Sequence, residues 1–340
     1  MLKSYITKVV DKINLTEKEA EEAMFIIMDG NATQAQIGSF LTAMRMKGET
    51  VEEITGFART MRKKAECIHP NVNFSVDTCG TGGDCAHTIN ISTGAAFVIS
   101  AAGVPVAKHG NRAVSSKCGS ADVLEELGCK IDLQPEKVEK CIEEIGIGFM
   151  FAPNFHMSMK NAATPRKELG IRTVFNILGP LTNPAGALGQ LVGVYKKEIA
   201  NTMAEVLLRL GTRRAMIVHG SDGLDEITIS GPTFVTELND GKISSYMLAP
   251  DDFGIQRSSI EDLRGGDKTV NALVIKQVLE GQRSGAARDA IVLNSAAGLY
   301  LGNKVEDICQ GVVLARETID SGKAVRKMEE FIEYTRSFKE

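Results

Sequence analysis

The sequence predicts an α/β protein with a small N-terminal helical domain and a larger α/β domain built on a mostly parallel central sheet. Three observations carry this. Thr16-x-x-Glu19, Thr33-x-x-Gln36 and Thr50-x-x-Glu53 are capping boxes, each leading into apolar residues at helical spacing, such as Ile37, Phe40, Leu41 and Met44. From residue 74 onward, short apolar runs alternate with helical patterns, the texture of βαβ units. Three of those runs end in loops rich in glycine and hydrogen-bonding side chains, the place where open α/β sheets bind ligands.

Residues 1–68 are expected to form a helical bundle, and Ile68-His69-Pro70 with the polar Asn71-Val72-Asn73 breaks it at a hinge or crossover. The α/β region, 74–340, opens with FSVDTCG, a helix near 92–102 ending at Gly103, and VPVAKHG. A helix near 119–127 closed by Gly128, the apolar run CKIDL and a helix near 134–145 follow. The stretch 151–185 interrupts the rhythm with four prolines, Arg166 and Arg172, yet has helical character between turns; near 155–185 the chain is expected to return to the helical domain. The alternation resumes with QLVGVY, a helix near 197–210 and AMIVHG, after which FVTEL and ISSYML flank Asn239-Asp240-Gly241, a hairpin signal. The final 75 residues are mainly helical.

A chain of 340 residues with 43% hydrophobic content buries a substantial core, and a net charge of −4 argues against a general nucleic-acid binder. Any anionic ligand must then be held by a local site. The first fifteen residues lack the apolar core of a signal peptide and no window suits a membrane span, so a cytoplasmic protein is expected. Seven cysteines without CxxC pairs are expected to be reduced thiols rather than disulfides or zinc ligands.

The first loop, Asp77 to Thr93, reads DTCGTGGDCAHTINIST. Glycine lets backbone N–H groups approach a ligand closely, so Gly80-Thr81-Gly82-Gly83 is either an oxyanion cradle or a tight strand-to-helix turn. It is no Walker A loop, because no Lys-Ser/Thr follows, and it lacks the third glycine of the dinucleotide fingerprint. Asp84, Thr88, Asn90, Ser92 and Thr93 lead instead into a helix start, where N–H groups and dipole favour phosphate, or where Ser92 or Thr93 simply caps. The second loop, Lys108 to Lys117, packs three lysine or arginine cations with His109, Asn111, Ser115 and Ser116, suiting a second phosphate or a solvated basic loop. The third, His219 to Glu226, brings Asp225 and Glu226 to a glycine-rich turn. Adjacent carboxylates there suit Mg²⁺ bound through substrate phosphates, or form an ordinary acidic turn; His219, Ser221 and Asp222 are too close in sequence for a triad. The residues themselves thus point to a multiply phosphorylated small molecule, with Mg²⁺.

At these residues the chain resembles the anthranilate phosphoribosyltransferases of tryptophan biosynthesis. The resemblance runs through GTGGD (80–84), NIST (90–93), VAKHGNRAVSSKCGSADVLEELG (106–128), RKELGIRTVFNILGPLTNPA (166–185) and HGSDGLDEIT (219–228). It implies a nucleoside-phosphorylase-like phosphoribosyltransferase fold, Mg²⁺, a homodimer joined through the helical domain, and transfer of a 5-phosphoribosyl group from its pyrophosphate to anthranilate. It further implies that Gly80, Gly83, Asp84, Thr88, Asn90, Ile91, Ser92, Thr93, Lys108, His109, Gly110, Asn111, Arg112, Ala113, Val114, Ser115, Ser116 and Ser120 surround the substrates. Ser92, Asp225 and Glu226 match metal positions. Asn111 and Arg166 match anthranilate positions, with His109 and His156 along its entry path, the other reading of Arg166-Lys167-Glu168 being an ordinary exposed helix turn. An oxocarbenium-like transfer needs charge stabilisation and positioning, so no catalytic nucleophile is assigned. Pyrimidine nucleoside phosphorylases and a nucleic-acid-binding relative of the fold are the alternatives; the Asp225-Glu226 pair, the length and the acidic balance oppose them.

Overall fold

All three capping boxes start helices. In the computed structural model, which describes residues 2–84, 86–113 and 118–338, α1 spans Leu2–Val10, α2 Glu17–Met28, α3 Gln34–Lys47 and α4 Val51–Lys64. At α2, α3 and α4 the threonine hydroxyl accepts the N3 amide while the N3 side chain accepts the threonine amide. Glu53 does more than cap. Its buried carboxylate accepts the amides of Leu15 and Thr50, each at 2.8 Å, and an ion pair from Lys47 at 2.8 Å. Lys47 also donates to Asn14 Oδ1 and Gly48 O. A buried ion pair is tolerable when its remaining hydrogen-bonding capacity is filled, and here the filled network ties the loop before α2 to the turn before α4.

The α/β region opens with β1 (Val76–Gly80), α5 (Ile91–Ala101), β2 (Val106–Gly110), α6 (Ser120–Leu127), α7 (Pro135–Ile145) and β3 (Ile147–Phe151). The crossover follows as α8 (Ala152–Phe155), α9 (Lys160–Leu169) and α10 (Phe175–Leu178). The sheet continues with β4 (Gly189–Gly193), α11 (Ala200–Arg209), β5 (Arg214–Gly220), β6 (Thr233–Asn239) and β7 (Lys242–Leu248), and α12 (Lys268–Leu279), α13 (Ala286–Leu301), α14 (Ile308–Asp320) and α15 (Lys323–Ser337) close the chain. Sheet order is β3-β2-β1-β4-β5-β6-β7, parallel through β5 and antiparallel beyond it. The chain runs outward from β1 to β3, then returns to lay β4 on the other side of β1. The strand order therefore reverses between β1 and β4, and the crevice outside their carboxyl ends is the ligand position this topology favours. The β6–β7 hairpin turns through Asp240 and Gly241, both at positive φ, as a two-residue turn of matching twist requires.

The run CKIDL is not a strand. Cys129, Ile131 and Leu133 are buried in alternation, but the segment is unpaired in the sheet and Lys130 N–H donates to Thr335 Oγ1 of α15. Its alternation serves packing under a helix. The strand at that point of the fold is β3, hidden in the sequence between the glycine that ends α7 and the proline-bearing crossover.

The crossover packs back on the N-terminal helices. Ala162, Phe175, Ile177, Leu178 and Leu181 share a buried core with Leu2, Met24, Phe40 and Phe57, and that core continues onto one sheet face through Val192 and Ile217. A second core, around Phe97, Val106, Phe149, Ile291 and Phe331, fills the other face.

Between β1 and β2 the ladder stops after Val76 and Val106, and side chains replace it. Asp77 Oδ1 accepts the His109 amide at 3.1 Å, while Asn183 Nδ2, from the end of the crossover, donates to Asp77 Oδ2 (2.8 Å) and Ala107 O (2.9 Å). The two buried groups satisfy one another and pin the crossover to the strands that carry two of the three candidate loops.

Candidate active site

The three loops meet at the crevice. Gly80 ends β1 and Gly193 ends β4 beside it in register, and the Asp225 loop descends onto both. A Cβ on Gly80 would stand 2.7 Å from Asp225 Oδ2, and one on Gly193 1.5 Å from Asp225 O. Only glycine at both strand ends lets the carboxylate loop sit this low. Gly82 N–H then donates to Asp225 Oδ2 at 2.8 Å, and Thr81 N–H to Gly193 O at 2.9 Å.

The loop after β5 is built from inside. Asp222 accepts Leu224 N–H (3.2 Å) and the hydroxyls of Thr228 (2.6 Å) and Ser230. Buried Asn294 of α13 accepts Ile227 N–H at 3.0 Å and returns a bond to Ile227 O at 2.9 Å. Asp222 is thus committed to the turn, and the His219 ring faces Val194 O through Nδ1 at 2.8 Å. Asp225 and Glu226 are left facing the cleft.

Neither Ser92 nor Thr93 caps α5. Asn90 is the N-cap residue and its side chain makes no cap bond; its amide donates to Cys118 O (3.2 Å) and its Oδ1 accepts Asn271 of α12 (3.0 Å). Ser92 N–H donates to Glu226 Oε1 at 3.2 Å. Ile91 is buried at the first turn, and Thr88 is fixed by an isolated bridge to Arg264. Thr93 is fully buried, turned inward beside Ala96 and Phe97.

Lys108 lies buried beneath this cluster, donating to Thr78 O at 2.5 Å and Ser92 Oγ at 3.3 Å. Burial lowers its pKa, opposed by Asp77, Cys79 and Glu226. Burial raises Asp225 well above the usual carboxylate range, reinforced by Asp84 and Glu226. It lifts Glu226 to about 7 against the pull of Lys108 and the Ser92 amide. A cleft in which burial and like charge oppose ionisation is short of positive charge, and a divalent cation fits that deficit. Among the described residues no three acidic, histidine or cysteine side chains form a group that could hold a metal ion by themselves. Mg²⁺ takes one or two carboxylates and fills its shell from water and substrate phosphates, so the donor set it needs from the protein is the Asp225–Glu226 pair.

In the β2–α6 loop, Asp122 accepts Ala113 N–H (3.1 Å) and Gly119 N–H (2.9 Å), folding the loop onto the helix start. Gly110 brings its backbone against Ser120, whose hydroxyl faces Asn111 O at 3.4 Å. Asn111 is exposed, with Oδ1 on the Arg112 amide. Arg112 turns away from the crevice, forking onto Glu125 (2.9 and 3.0 Å) and bonding Asp122. Its side chain is therefore committed to α6. Val114, Ser115 and Ser116 lie outside the described residues.

Arg166, in the last turn of α9, has its guanidinium 5.0 Å over the Phe175 ring and no carboxylate partner among the described residues. Burial lowers its pKa. His109 and His156 are both buried, their rings 5.1 Å apart; among the described residues His109 Nε2 and both nitrogens of His156 lack a hydrogen bond of good geometry, with only the Gly179 and Thr182 backbones close enough to favour their charged forms. Burial presses their pKa values down to about 3 and about 4, with His156 further opposing a charge on His109. The unfolded chain therefore binds protons on these rings first as pH falls below about 6.5, so their burial costs stability between about pH 6.5 and 4. His156→Gln is expected to remove on the order of 2 kcal/mol of the stability lost between pH 7 and 4.5. Urea unfolding at both pH values checks this, and an equal loss in both proteins would refute it.

Sequence reasoning missed Asp77, Asn183, Asn271 and Asn294, all buried or half-buried groups that hold site residues from behind, and it gave Arg172 no role. Asn183 and Asn294 lie in stretches whose polar residues stand out only once the fold buries them.

Two family models match the chain: a glycosyl transferase family helical bundle domain over residues 3–65 and the a/b domain of that family over 73–325. An anthranilate phosphoribosyltransferase of Acetivibrio thermocellus is 58% identical, covering 99% of this chain and 98% of its own. The crystal structure of the Thermus thermophilus enzyme of that name superposes with a TM-score of 0.93 at 42% identity, over 98% of this chain and 99% of that one. The chain belongs to the anthranilate phosphoribosyltransferase family. A Saccharomyces cerevisiae member, 30% identical with a TM-score of 0.92 over 99% of this chain and 98% of its own, has been solved in complex with 5-phosphoribosyl 1-pyrophosphate and Mg, and separately with 4-fluoroanthranilate. Family membership and the crevice at the β1–β4 reversal thus point the same way.

Proposed function

We propose that the chain transfers the 5-phosphoribosyl group from 5-phosphoribosyl 1-pyrophosphate to the amino group of anthranilate, giving N-(5-phosphoribosyl)anthranilate and pyrophosphate, in tryptophan biosynthesis. The observation that carries this reading is the descent of Asp225 onto Gly80 and Gly193, with Glu226 beside it on the Ser92 amide, a carboxylate pair against a glycine loop and a helix N-terminus at one point. Asp225, Glu226 and Ser92, with Asp84 beside them, are the groups that would hold Mg²⁺, which when bound neutralises pyrophosphate charge. The protein's own contribution is positioning and charge: the Gly80–Asp84 loop and the α5 start hold Asp225 and Glu226 through the Gly82 and Ser92 amides, setting the carboxylates that would carry the metal against the phosphates, and buried Lys108 adds a fixed cation below them.

Anthranilate enters from the crossover side. Arg166, without a carboxylate partner among the described residues, pairs with the substrate carboxylate, while the neutral rings of His109 and His156 line an apolar path that suits a neutral aromatic amine. Arg166→Ala is expected to weaken anthranilate binding by about 1.5–3 kcal/mol, the worth of a charged hydrogen bond, with smaller effect on the other substrate. Steady-state affinity for each substrate checks this; an unchanged anthranilate affinity removes Arg166 from the site.

Domain boundaries at 1–68 and 74–340, with 155–185 completing the helical unit, are read from the crossover residues in the bundle core. A homodimer through the bundle is supported by Val10, Ile13 and Met46, which stay 61%, 51% and 80% exposed toward one end of it. Among the described residues no helix is long and apolar enough to cross a membrane.

Loss of anthranilate fluorescence on adding 5-phosphoribosyl 1-pyrophosphate and Mg²⁺, with matching pyrophosphate release and an EDTA control, tests the reading. A folded protein that consumes no anthranilate would refute it.

A further inference from the structure

Arg172 sits in the crossover between α9 and α10, exposed, on the side that faces the Gly80–Asp84 loop. Its Nη2 donates to Gly83 O. Its guanidinium lies 4.2 Å over the ring of Tyr195, and Tyr195 N–H donates to Thr81 Oγ1 at 3.0 Å. Arginine, tyrosine and glycine loop thus close a circuit in which the loop is gripped at Thr81 and at Gly83. Gly83 has a φ of +80°, which favours glycine, and a Cβ there would stand 3.1 Å from Arg172 Nη2, pressing on the guanidinium.

The grip uses little of the arginine. A guanidinium carries five N–H donors, and the contact with Gly83 O occupies one nitrogen. Among the described residues no carboxylate pairs with Arg172, whereas Arg112 forks onto Glu125 and Arg264 pairs with Glu261. Lys108 is buried below the loop. An exposed cation stacked on an aromatic ring, with donors to spare beside the loop that carries Asp225 on its Gly82 amide, has the chemistry that binds phosphate in a fork.

We propose that Arg172 is a binding residue for the leaving group, its free N–H donors engaging nonbridging oxygens of the pyrophosphate held by the Gly80–Asp84 loop. The inference rests on the transfer reaction proposed above. In that reaction the C1′–O bond to pyrophosphate breaks and its electron pair leaves on the pyrophosphate oxygen. The anthranilate nitrogen lone pair forms the new C1′–N bond, and the nitrogen then gives one proton to solvent. Negative charge on the pyrophosphate grows as the bond breaks, so a cation beside it acts more strongly on the transition state than on the bound substrate. The Tyr195 stack holds the guanidinium in place before the substrate arrives, which limits the side-chain entropy lost on binding.

The test compares the full-length wild type with Arg172→Gln and Arg172→Lys, measuring KM for each substrate and inhibition by pyrophosphate in the presence of Mg²⁺. Arg172→Gln is expected to raise both KM for 5-phosphoribosyl 1-pyrophosphate and the pyrophosphate inhibition constant by about tenfold or more, the worth of a charged hydrogen bond. KM for anthranilate is expected to stay within about twofold, since its contacts are untouched. Arg172→Lys is expected to recover part of the loss, because it keeps the charge and loses the fork. Guanidinium ion added to Arg172→Ala is expected to restore part of the activity, a rescue that general loosening of the loop would not show. Equal inhibition of wild type and Arg172→Gln by pyrophosphate would overturn the proposal, and so would an equal rise in KM for both substrates. If the wild type transfers nothing, the transfer reading fails, and calorimetric titration of wild type and Arg172→Gln with magnesium pyrophosphate decides the role of Arg172 separately: weaker binding by the variant supports it, equal binding overturns it.

Discussion

Replacing Glu226 by alanine is expected to lower turnover by about a hundredfold or more, the usual cost of deleting one electrostatic group that acts on a transition state. Glu226 stands where three influences meet. Its Oε1 accepts the Ser92 amide at the start of α5, it lies within electrostatic reach of buried Lys108, and Asp84 repels its charge. Alanine removes the carboxylate and frees a helix-terminal N–H together. Glu226→Gln separates these roles, because the amide oxygen still accepts from Ser92 while the charge is gone. If Glu226 serves only as a structural acceptor, the glutamine variant keeps most of its turnover. If it serves as a charged group for Mg²⁺ and substrate, glutamine fails nearly as badly as alanine. Steady-state rates at saturating Mg²⁺ measure the difference, and near-normal turnover of Glu226→Gln would overturn the charged role.

Much of the fold was legible because local and global signals agree. Thr16, Thr33 and Thr50 cap helices through short-range contacts that any environment would favour, and Asp240-Gly241 turns a hairpin because both positions need positive φ. The run CKIDL misled because alternation reports burial on one side, and a segment beneath a helix buries one side as well as a strand does. β3 was hidden for the opposite reason: IGFMF is buried with almost no alternation, and its strand character comes from its place beside β2.

The candidate site divides the same way. Gly80, Asp84, Lys108, Asp225 and Glu226 were visible because their residue types are chemically unusual at strand ends. Asp77, Asn183 and Asn294 were not, because their importance lies in partners distant along the chain: Asn183 and Asp77 are 106 residues apart and Asn294 reaches back 67 to Ile227. Arg112 shows the converse. Its loop suggested phosphate, but Asp122 and Glu125, one and two turns along the following helix, compete for its guanidinium and hold it.

Gly193→Ala is expected to abolish most activity while leaving the chain folded, because the methyl group has nowhere to go at one particular place. Its Cβ would stand 1.5 Å from Asp225 O and 2.4 Å from the Asp225 carbonyl carbon. Both are backbone atoms, so no side-chain rotation relieves the clash. The strand cannot easily yield: Gly193 is paired with Gly80 on one side and Val218 on the other, and its carbonyl accepts the Thr81 amide. The Asp225 loop must lift instead. Lifting it draws the carboxylates away from Gly82 and Ser92 and strains the Asn294 bonds to Ile227. Overpacking of this kind costs about 1–3 kcal/mol of stability, small enough for the fold to survive. A displacement of about 1 Å at reacting groups is worth on the order of a hundredfold in rate, so turnover is expected to fall at least that far. Gly179→Ala is the control, since a Cβ there would meet nothing within 4 Å among the described residues and the φ of −52° is one that alanine adopts freely. Thermal unfolding and steady-state rates on both variants measure the contrast. A Gly193→Ala protein with near-normal turnover would show that the carboxylate loop does not depend on resting against the end of β4.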